Sequence, residues 1–376
     1  MIVKRLLVLA ALAALLAPAC AYFNSLYNAE RLFDDARRAE HAGRRAEAEQ
    51  AYSQSIEKAA RALRSDPNGR WADDALFLIA RARFARAEFA AAAAALERLL
   101  AFNTLDADMR AGANAYLGAA RLRLGAANDA AAHLRTAVDH FGDDDGASAT
   151  FARLWLARAL FELGADSAAW LEIDRAARGE KTLAREARLE AATRAVSAGD
   201  SARARAGFAA LLADAGAAAA ADSIRSLAAA AARRWDAGFG RSLLASAAAS
   251  PWPATARNEL VLYRAELAAG AGDTAAARDD ASSLAARAGG PIADRARVLL
   301  ARWTLAAATD AGELADARAV LLPAVGDTEA RTLLEGIRLV EALLAQARGA
   351  GQPLALFAAA ELARDRLGSP GLARGL

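Results

Sequence analysis

From about residue 26 onward a single pattern recurs, and it limits the possible folds of this chain more than any other feature. Stretches of about 12 to 18 residues with apolar positions at helical spacing alternate with short turns. The turns between paired stretches carry a small residue at regular intervals. Gly43, Gly125, Gly164, Gly199, Gly272 and Gly312 stand 82, 39, 35, 73 and 40 residues apart. Each long gap is about double the others, and Ala87, in the run FARAEFAAA, fills the first. A period of about 35 to 41 residues is that of helical-hairpin repeats.

The positions around each turn repeat as well. Five residues after it stand Ala48, Ala92, Ala130, Ala169, Ala204, Ala277 and Ala317. Seven residues before it stand Ala36, Ala80, Gly118, Ala157, Ala192 and Ala265, with Leu305 departing from the series. Nine after it the side chain is larger: Tyr52, Leu96, Leu134, Ile173, Phe208 and Leu321, with Ala281 the exception. Alanine dominates the composition and is the strongest helix former. Val, Ile and Thr are sparse, and no sustained period-2 alternation is present. The expected fold is helical throughout.

This arrangement resembles the tetratricopeptide repeat (TPR). Thr104 to His140, with YLGAARLRLGAANDAAAHLRTAV, matches it best. Next come ADDALFLIARARFARAEFAAAAAALERLL (Ala72 to Leu100) and LWLARALFELGADSAAWLEIDRAA (from Leu154). The resemblance covers about residues 30 to 325 and implies an all-α, TPR-like superhelical solenoid of about nine helical hairpins. Ala221 to Ser250 keeps the helical pattern but loses the turn register. One array over 21–376 is expected, with a bend at Pro251-Trp252-Pro253. At the end, DRLGSPGLARGL reads as a helix stop at Leu367-Gly368, an N-cap at Ser369 and Pro370 at the first helical position. With no further capping helix after it, residues 370–376 are expected to be poorly packed, as in a truncated array.

Residues 1–20 read as an address. Lys4 and Arg5 precede an apolar run from Leu6 to Leu16, and small residues lead to Cys20, the sole cysteine. That run of 11 residues is shorter than the roughly 20 that a membrane span needs. Ala17-Pro18-Ala19-Cys20 resembles a bacterial lipobox, which implies acylation of Cys20 and a membrane anchor. Ala21, where Asp commonly marks inner-membrane retention in such lipoproteins, implies sorting to the outer membrane, facing the periplasm. The alternative is an ordinary signal peptide ending at Ala19, which releases a soluble periplasmic or secreted protein. CAYFNSLYNAERLFDDA and WADDALFLIARARF resemble the opening units of TPR envelope lipoproteins of the BamD-type assembly class, a likeness confined to about the first half.

Little in the chain points to chemistry. The net charge is only +2 with no polybasic block, which argues against nucleic acid as a partner. His140 precedes FGDDDG, but the run lacks the alternation of a calcium loop and reads as a solvated turn; no metal is expected. GAGDT at Gly270 has no preceding strand and no Gly-Lys-Ser/Thr, so it is a hairpin turn and not a phosphate cradle. No catalytic residues, cofactor or small-molecule substrate are expected.

The expected function is therefore that of a non-catalytic scaffold binding other envelope proteins or peptides. The alternatives are a self-associating structural subunit of an envelope machine and, more distantly, an accessory to a cell-wall enzyme. In TPR arrays the first helix of each hairpin lines the groove, at six, three and ten residues before the turn. Carried over, that geometry selects Arg37, Arg81 and Arg158, then Phe84 and Phe161, then Phe33, Phe77 and Leu154. Arginine beside aromatic rings suggests a carboxylate clamp next to an apolar slot, suited to an extended peptide or a chain terminus. The competing reading puts the phenylalanines in the core and leaves the arginines solvated.

Overall fold

The computed structural model describes residues 25–350 and 353–376. Residues 1–20, read above as an address, and Cys20 with them, lie outside the described residues. Nineteen α-helices are present among the described residues, with no strand among them. They pair into nine helical hairpins and a short final helix. The chain divides into two compact units, one ending at Arg188 and the other running from Leu189 to Leu376.

The first unit contains α1 (25–41), α2 (Arg45–Ser65), α3 (Ala72–Ala85), α4 (Phe89–Leu100), α5 (Ala107–Arg123), α6 (Ala127–Phe141), α7 (Ala147–Glu162) and α8 (Asp166–Ala176). Its hairpins close in one way. At Gly43 the residue's own N–H donates to the Glu40 carbonyl at 2.9 Å, and the next N–H, of Arg44, donates to Ala39 at 2.9 Å. This pair of bonds satisfies carbonyls that a helix end would otherwise leave open, and it requires a left-handed residue at the turn. The pattern repeats at Ala87, Gly125 and Gly164, with φ of 59°, 83° and 70°. Where the chain enters α5, Asp106 caps it by accepting from the Met109 N–H at 2.6 Å.

Packing inside each hairpin follows from the small residues. Ala36, Ala80 and Ala157 before the turn, and Ala92, Ala130 and Ala169 after it, are fully buried. At Gly118 the approach is closest: an added Cβ would lie 2.5 Å from Leu134 Cγ and 2.9 Å from the Ala130 carbonyl oxygen. The larger residues nine after the turn, Tyr52, Leu96, Leu134 and Ile173, are buried between hairpins. Apolar burial of this kind contributes about 25 cal/mol per Å² and is the main term holding such arrays together.

The second unit begins within α9 (Lys181–Ala198) and continues with α10 (Ser201–Ala213), α11 (Ala221–Arg234), α12 (Ala237–Leu243), α13 (Ala254–Gly270), α14 (Thr274–Arg287), α15 (Gly290–Ala307), α16 (Glu313–Leu321), α17 (Thr328–Ala350), α18 (Pro353–Asp365) and α19 (Pro370–Gly375). Gly199 and Gly272 repeat the left-handed closure at φ 78° and 80°. Two connections do not. Between α11 and α12 the chain turns at Trp235 without a positive φ, and Asp236 caps α12 by accepting from the Phe239 N–H at 2.7 Å. Gly312 is helical at φ −66°, because α15 ends earlier in extended Ala308; the Glu313 carboxylate then takes the Thr309 N–H at 2.6 Å.

The Pro251-Trp252-Pro253 segment lies inside this unit and is held in place. Trp252 is 2% exposed and its indole N–H donates to the Asp214 carbonyl at 2.9 Å. The expectation of a loosely packed end at 370–376 needs correction. Leu372 is 1% exposed in a cluster with Leu333, Ile337 and Leu367, and Gly371 lies close against the Ala308 carbonyl. The reason is local: the left-handed Gly368 reverses the chain after α18 and lays α19 across the end of α15. Ser369 occupies the N-cap position but makes no capping bond, and its hydroxyl is buried.

Candidate partner-binding site

The first helices of the hairpins in the first unit, α1, α3, α5 and α7, present a common row of residues. On α1 and α3 that row encloses a pocket of about 260 Å³ lined by Glu30, Phe33, Asp34, Asp74, Phe77, Leu78 and Arg81. The Arg81 guanidinium lies over ring faces, 4.5 Å from the Phe33 centroid, 5.5 Å from Phe77 and 5.9 Å from Tyr116. Such placement is a cation–π arrangement, strengthened where water is displaced.

From Phe77 the rings continue along the row. Tyr116 of α5 meets Phe77 edge-on at 5.7 Å and stacks on Phe151 of α7 at 4.4 Å. Phe84 packs against both Tyr116 and Trp155, at 5.6 and 5.5 Å. Arg158 closes the row, 4.5 Å over Trp155 and ion-paired with Glu186 at 2.6 Å. Phe77, Phe84, Tyr116 and Phe151 are half-buried, so one side of the strip faces solvent.

The residues singled out from the sequence therefore have different positions. Phe33, Phe77 and Arg81 share one pocket. Phe84 and Arg158 belong to the aromatic row, although Arg158 is already engaged by Glu186. Arg37 is exposed and does not line the pocket. Phe161 lies against Trp170 of its own hairpin at 5.1 Å. Leu154 requires correction: it is 0% exposed and belongs to the core, because its side of α7 faces neighbouring helices.

The rows selected from the sequence omitted Glu30, Asp34, Asp74, Tyr116, Phe151 and Trp155. These stand nine or thirteen residues before their turns, one helical row beside the positions chosen. Reading the nine and thirteen positions together would have found them: Asp34, Leu78, Tyr116 and Trp155, then Glu30, Asp74, Gly112 and Phe151. Gly112 belongs to the same set because Phe77 occupies the space beside it; an added Cβ would stand 3.2 Å from the ring.

The pocket's electrostatics are dominated by its carboxyl groups. Burial pushes Asp74 up to about 6, reinforced by the charges of Asp73, Glu30 and Asp106. Glu30 is also raised, first by burial and then by Asp34, with Arg81 acting in the opposite sense. Shifts of this kind mark carboxylates that are not fully compensated. Elsewhere, His140 meets Asp108 of α5 at 2.7 Å and not the neighbouring Asp143–Asp145 run.

No family model matches the sequence, and no curated protein matches it. Similar solved structures include a tetratricopeptide repeat protein from Parabacteroides merdae, at 12% identity over 73% of this chain and 98% of that one, TM-score 0.37. The TPR domain of P58(IPK) covers 92% of this chain and 97% of its own at 14% identity and TM-score 0.26. BtubC from P. vanneervenii is 16% identical over 67% and 90%, TM-score 0.32. At these scores the superpositions carry no argument, and the hairpin architecture rests on the turn and packing geometry of the chain itself.

Proposed function

We propose that this protein is a non-catalytic scaffold that holds an extended segment of a partner protein along the aromatic row of α1, α3, α5 and α7. The observation that carries this reading is the half-buried strip Phe77, Tyr116 and Phe151, backed by buried Trp155, with arginines stacked on rings at both ends. Aromatic residues and arginine are the types enriched where proteins bind one another, and a preformed strip lowers the ordering cost of binding.

The site of action we propose is the periplasmic face of the outer membrane, with the chain held there by acyl groups on Cys20. The lipobox-like sequence and Ala21 support this. No single helix among the described residues is long and apolar enough to cross a membrane. The likeness of the first half to BamD-type lipoproteins makes outer-membrane protein assembly the process to test first.

The test is site-specific photo-crosslinking in cells. A benzophenone side chain at Tyr116 should form an adduct with another protein, while one at Gln54, exposed on α2, should not. Equal capture from both positions, or capture from Gln54 alone, overturns the groove assignment. Cys20→Ser should release the protein from membranes and abolish incorporation of labelled fatty acid.

A second reading, self-association as a structural subunit, is favoured by α18. Leu354 and Phe357 are 82% and 64% exposed beside an apolar pocket of about 850 Å³. Light scattering of the purified chain separates the two readings: a monomer supports the scaffold, and an oligomer broken by Phe357→Asp supports the subunit.

A further inference from the structure

The pocket between α1 and α3 has the wrong charge for a carboxylate ligand. Three of its lining residues, Glu30, Asp34 and Asp74, are acidic, and Arg81 is the one basic residue among them. Arg81 is committed to the rings of Phe33 and Phe77, and its Nε is closed off from solvent without a hydrogen-bond acceptor. An arginine paired with these carboxylates would lower their affinity for protons. Both Glu30 and Asp74 are shifted the other way. With three carboxyl groups and one guanidinium, the recess is acidic, and the rings of Phe33 and Phe77 stand beside those groups.

Such a recess suits a cation. Ring faces carry negative potential, and half-buried Phe77 offers the main apolar surface for a methylene stem, with Leu78 and Phe33 behind it. At about 260 Å³ the recess is smaller than typical small-molecule sites, which begin at about 300 Å³, and matches one side chain. The same carboxylates repel phosphate, and with it nucleic acid.

We infer that this pocket receives a lysine or arginine side chain of an extended partner polypeptide, with the cationic head among Glu30, Asp34 and Asp74 and the stem against Phe33, Phe77 and Leu78. The inference rests on the scaffold reading above and gives that groove its residue preference. It replaces the carboxylate clamp suggested by Arg81 alone, since the charge around Arg81 has the opposite sign.

The probes are four end-blocked nonapeptides of alanine and serine with a central Arg, Lys, Gln or Glu. They are titrated into the full chain carrying 4-fluorophenylalanine and followed by fluorine NMR, with the Phe33 and Phe77 signals assigned by leucine replacement. The Arg and Lys peptides should shift both signals and bind at least about fivefold more tightly than the Gln peptide. The Glu peptide should leave both signals in place. Glu30→Gln with Asp74→Asn should remove the preference, and melting curves check that the variant is folded. Arg81→Met should strengthen the Arg peptide severalfold, because a like charge is gone; a carboxylate clamp requires the reverse. Preference for the Glu peptide, equal binding of all four, or binding of none overturns the inference. If crosslinking at Tyr116 still captures a protein in that case, the scaffold reading stands without it. If the Arg peptide binds and no protein is ever captured, the scaffold reading fails and the pocket's selectivity stands.

Discussion

Ala87 takes the same left-handed turn as Gly125, at φ 59° against 83°, and closes its hairpin with the same two hydrogen bonds, Ala87 N–H to Phe84 and Glu88 N–H to Arg83. The left-handed region costs an alanine about 1 kcal/mol that glycine avoids, while glycine loses more chain entropy on folding. Ala87 is exposed, so no packing is lost by removing its methyl. Ala87→Gly should therefore raise stability by about 0.5 kcal/mol in urea melts, and Gly125→Ala, which also faces open space, should lower it by about the same amount. A loss of stability in Ala87→Gly would show that the turn is not strained.

Gly118 is the tightest hairpin contact in the first unit. Leu134 can swing away from an added methyl, but the Ala130 carbonyl at 2.9 Å is backbone and cannot. Gly118→Ala should cost about 1–3 kcal/mol, the range for overpacking a core. Gly43→Ala faces open space and should show only the left-handed penalty. Equal losses in the two variants would contradict the contact.

Asp74 should make the protein less stable as pH rises. Its carboxyl is raised from 3.8 to about 6, so between those values the folded chain holds more protons than the unfolded one. The stability associated with the protonated group is present below about pH 4 and lost as pH passes 6. Glu30 acts in the same direction. Asp74→Asn should raise the melting temperature at pH 7 and flatten its dependence between pH 4 and 6. A steeper dependence in the variant would refute the assignment.

Arg153 holds the connection into α7. It is 5% exposed, and its guanidinium donates to the Asp144 carbonyl at 2.5 Å and to that of Gly142. Arg153→Met should destabilise by about 1.5–3 kcal/mol, the value of hydrogen bonds from a charged donor. The loss should be larger at pH 8 than at pH 5. Buried Glu172 is raised chiefly by burial and is held down by Arg175 and Arg153, so without Arg153 its ionised form is disfavoured further. Melts at the two pH values check this, and identical losses would dissociate the two residues.

Much of this architecture is legible along the chain because each hairpin is a local device. A left-handed turn wants glycine, two close helices want alanine opposite the turn, and a wedge between hairpins wants a larger side chain. Gly43, Ala48 and Tyr52 already spell that unit, and Gly125, Ala130 and Leu134 repeat it. The register failed at Gly312, where α15 stops in an extended Ala308. Gly371 of α19 lies against the carbonyl of that Ala308, a contact from far along the chain with no local sequence marker.

By itself, then, the sequence determined helix, hairpin, period and the buried small residues, since these follow from backbone preference and spacing over a few turns. Tertiary structure alone decided which row of each helix faces solvent. On α7, Leu154 is sealed in the core while Phe151, three residues earlier, is half-buried on the aromatic row, and only the neighbouring helices set that rotation. It also decided the charge of the site. Arg81 was visible as a cation near phenylalanines, but Glu30 and Asp34 reach its pocket from a different helix, and Asp74 from a turn and more earlier in its own. Burial, reinforced by neighbouring carboxylates, raises the affinity of Glu30 and Asp74 for protons, and that effect depends on distance and burial that no linear reading contains.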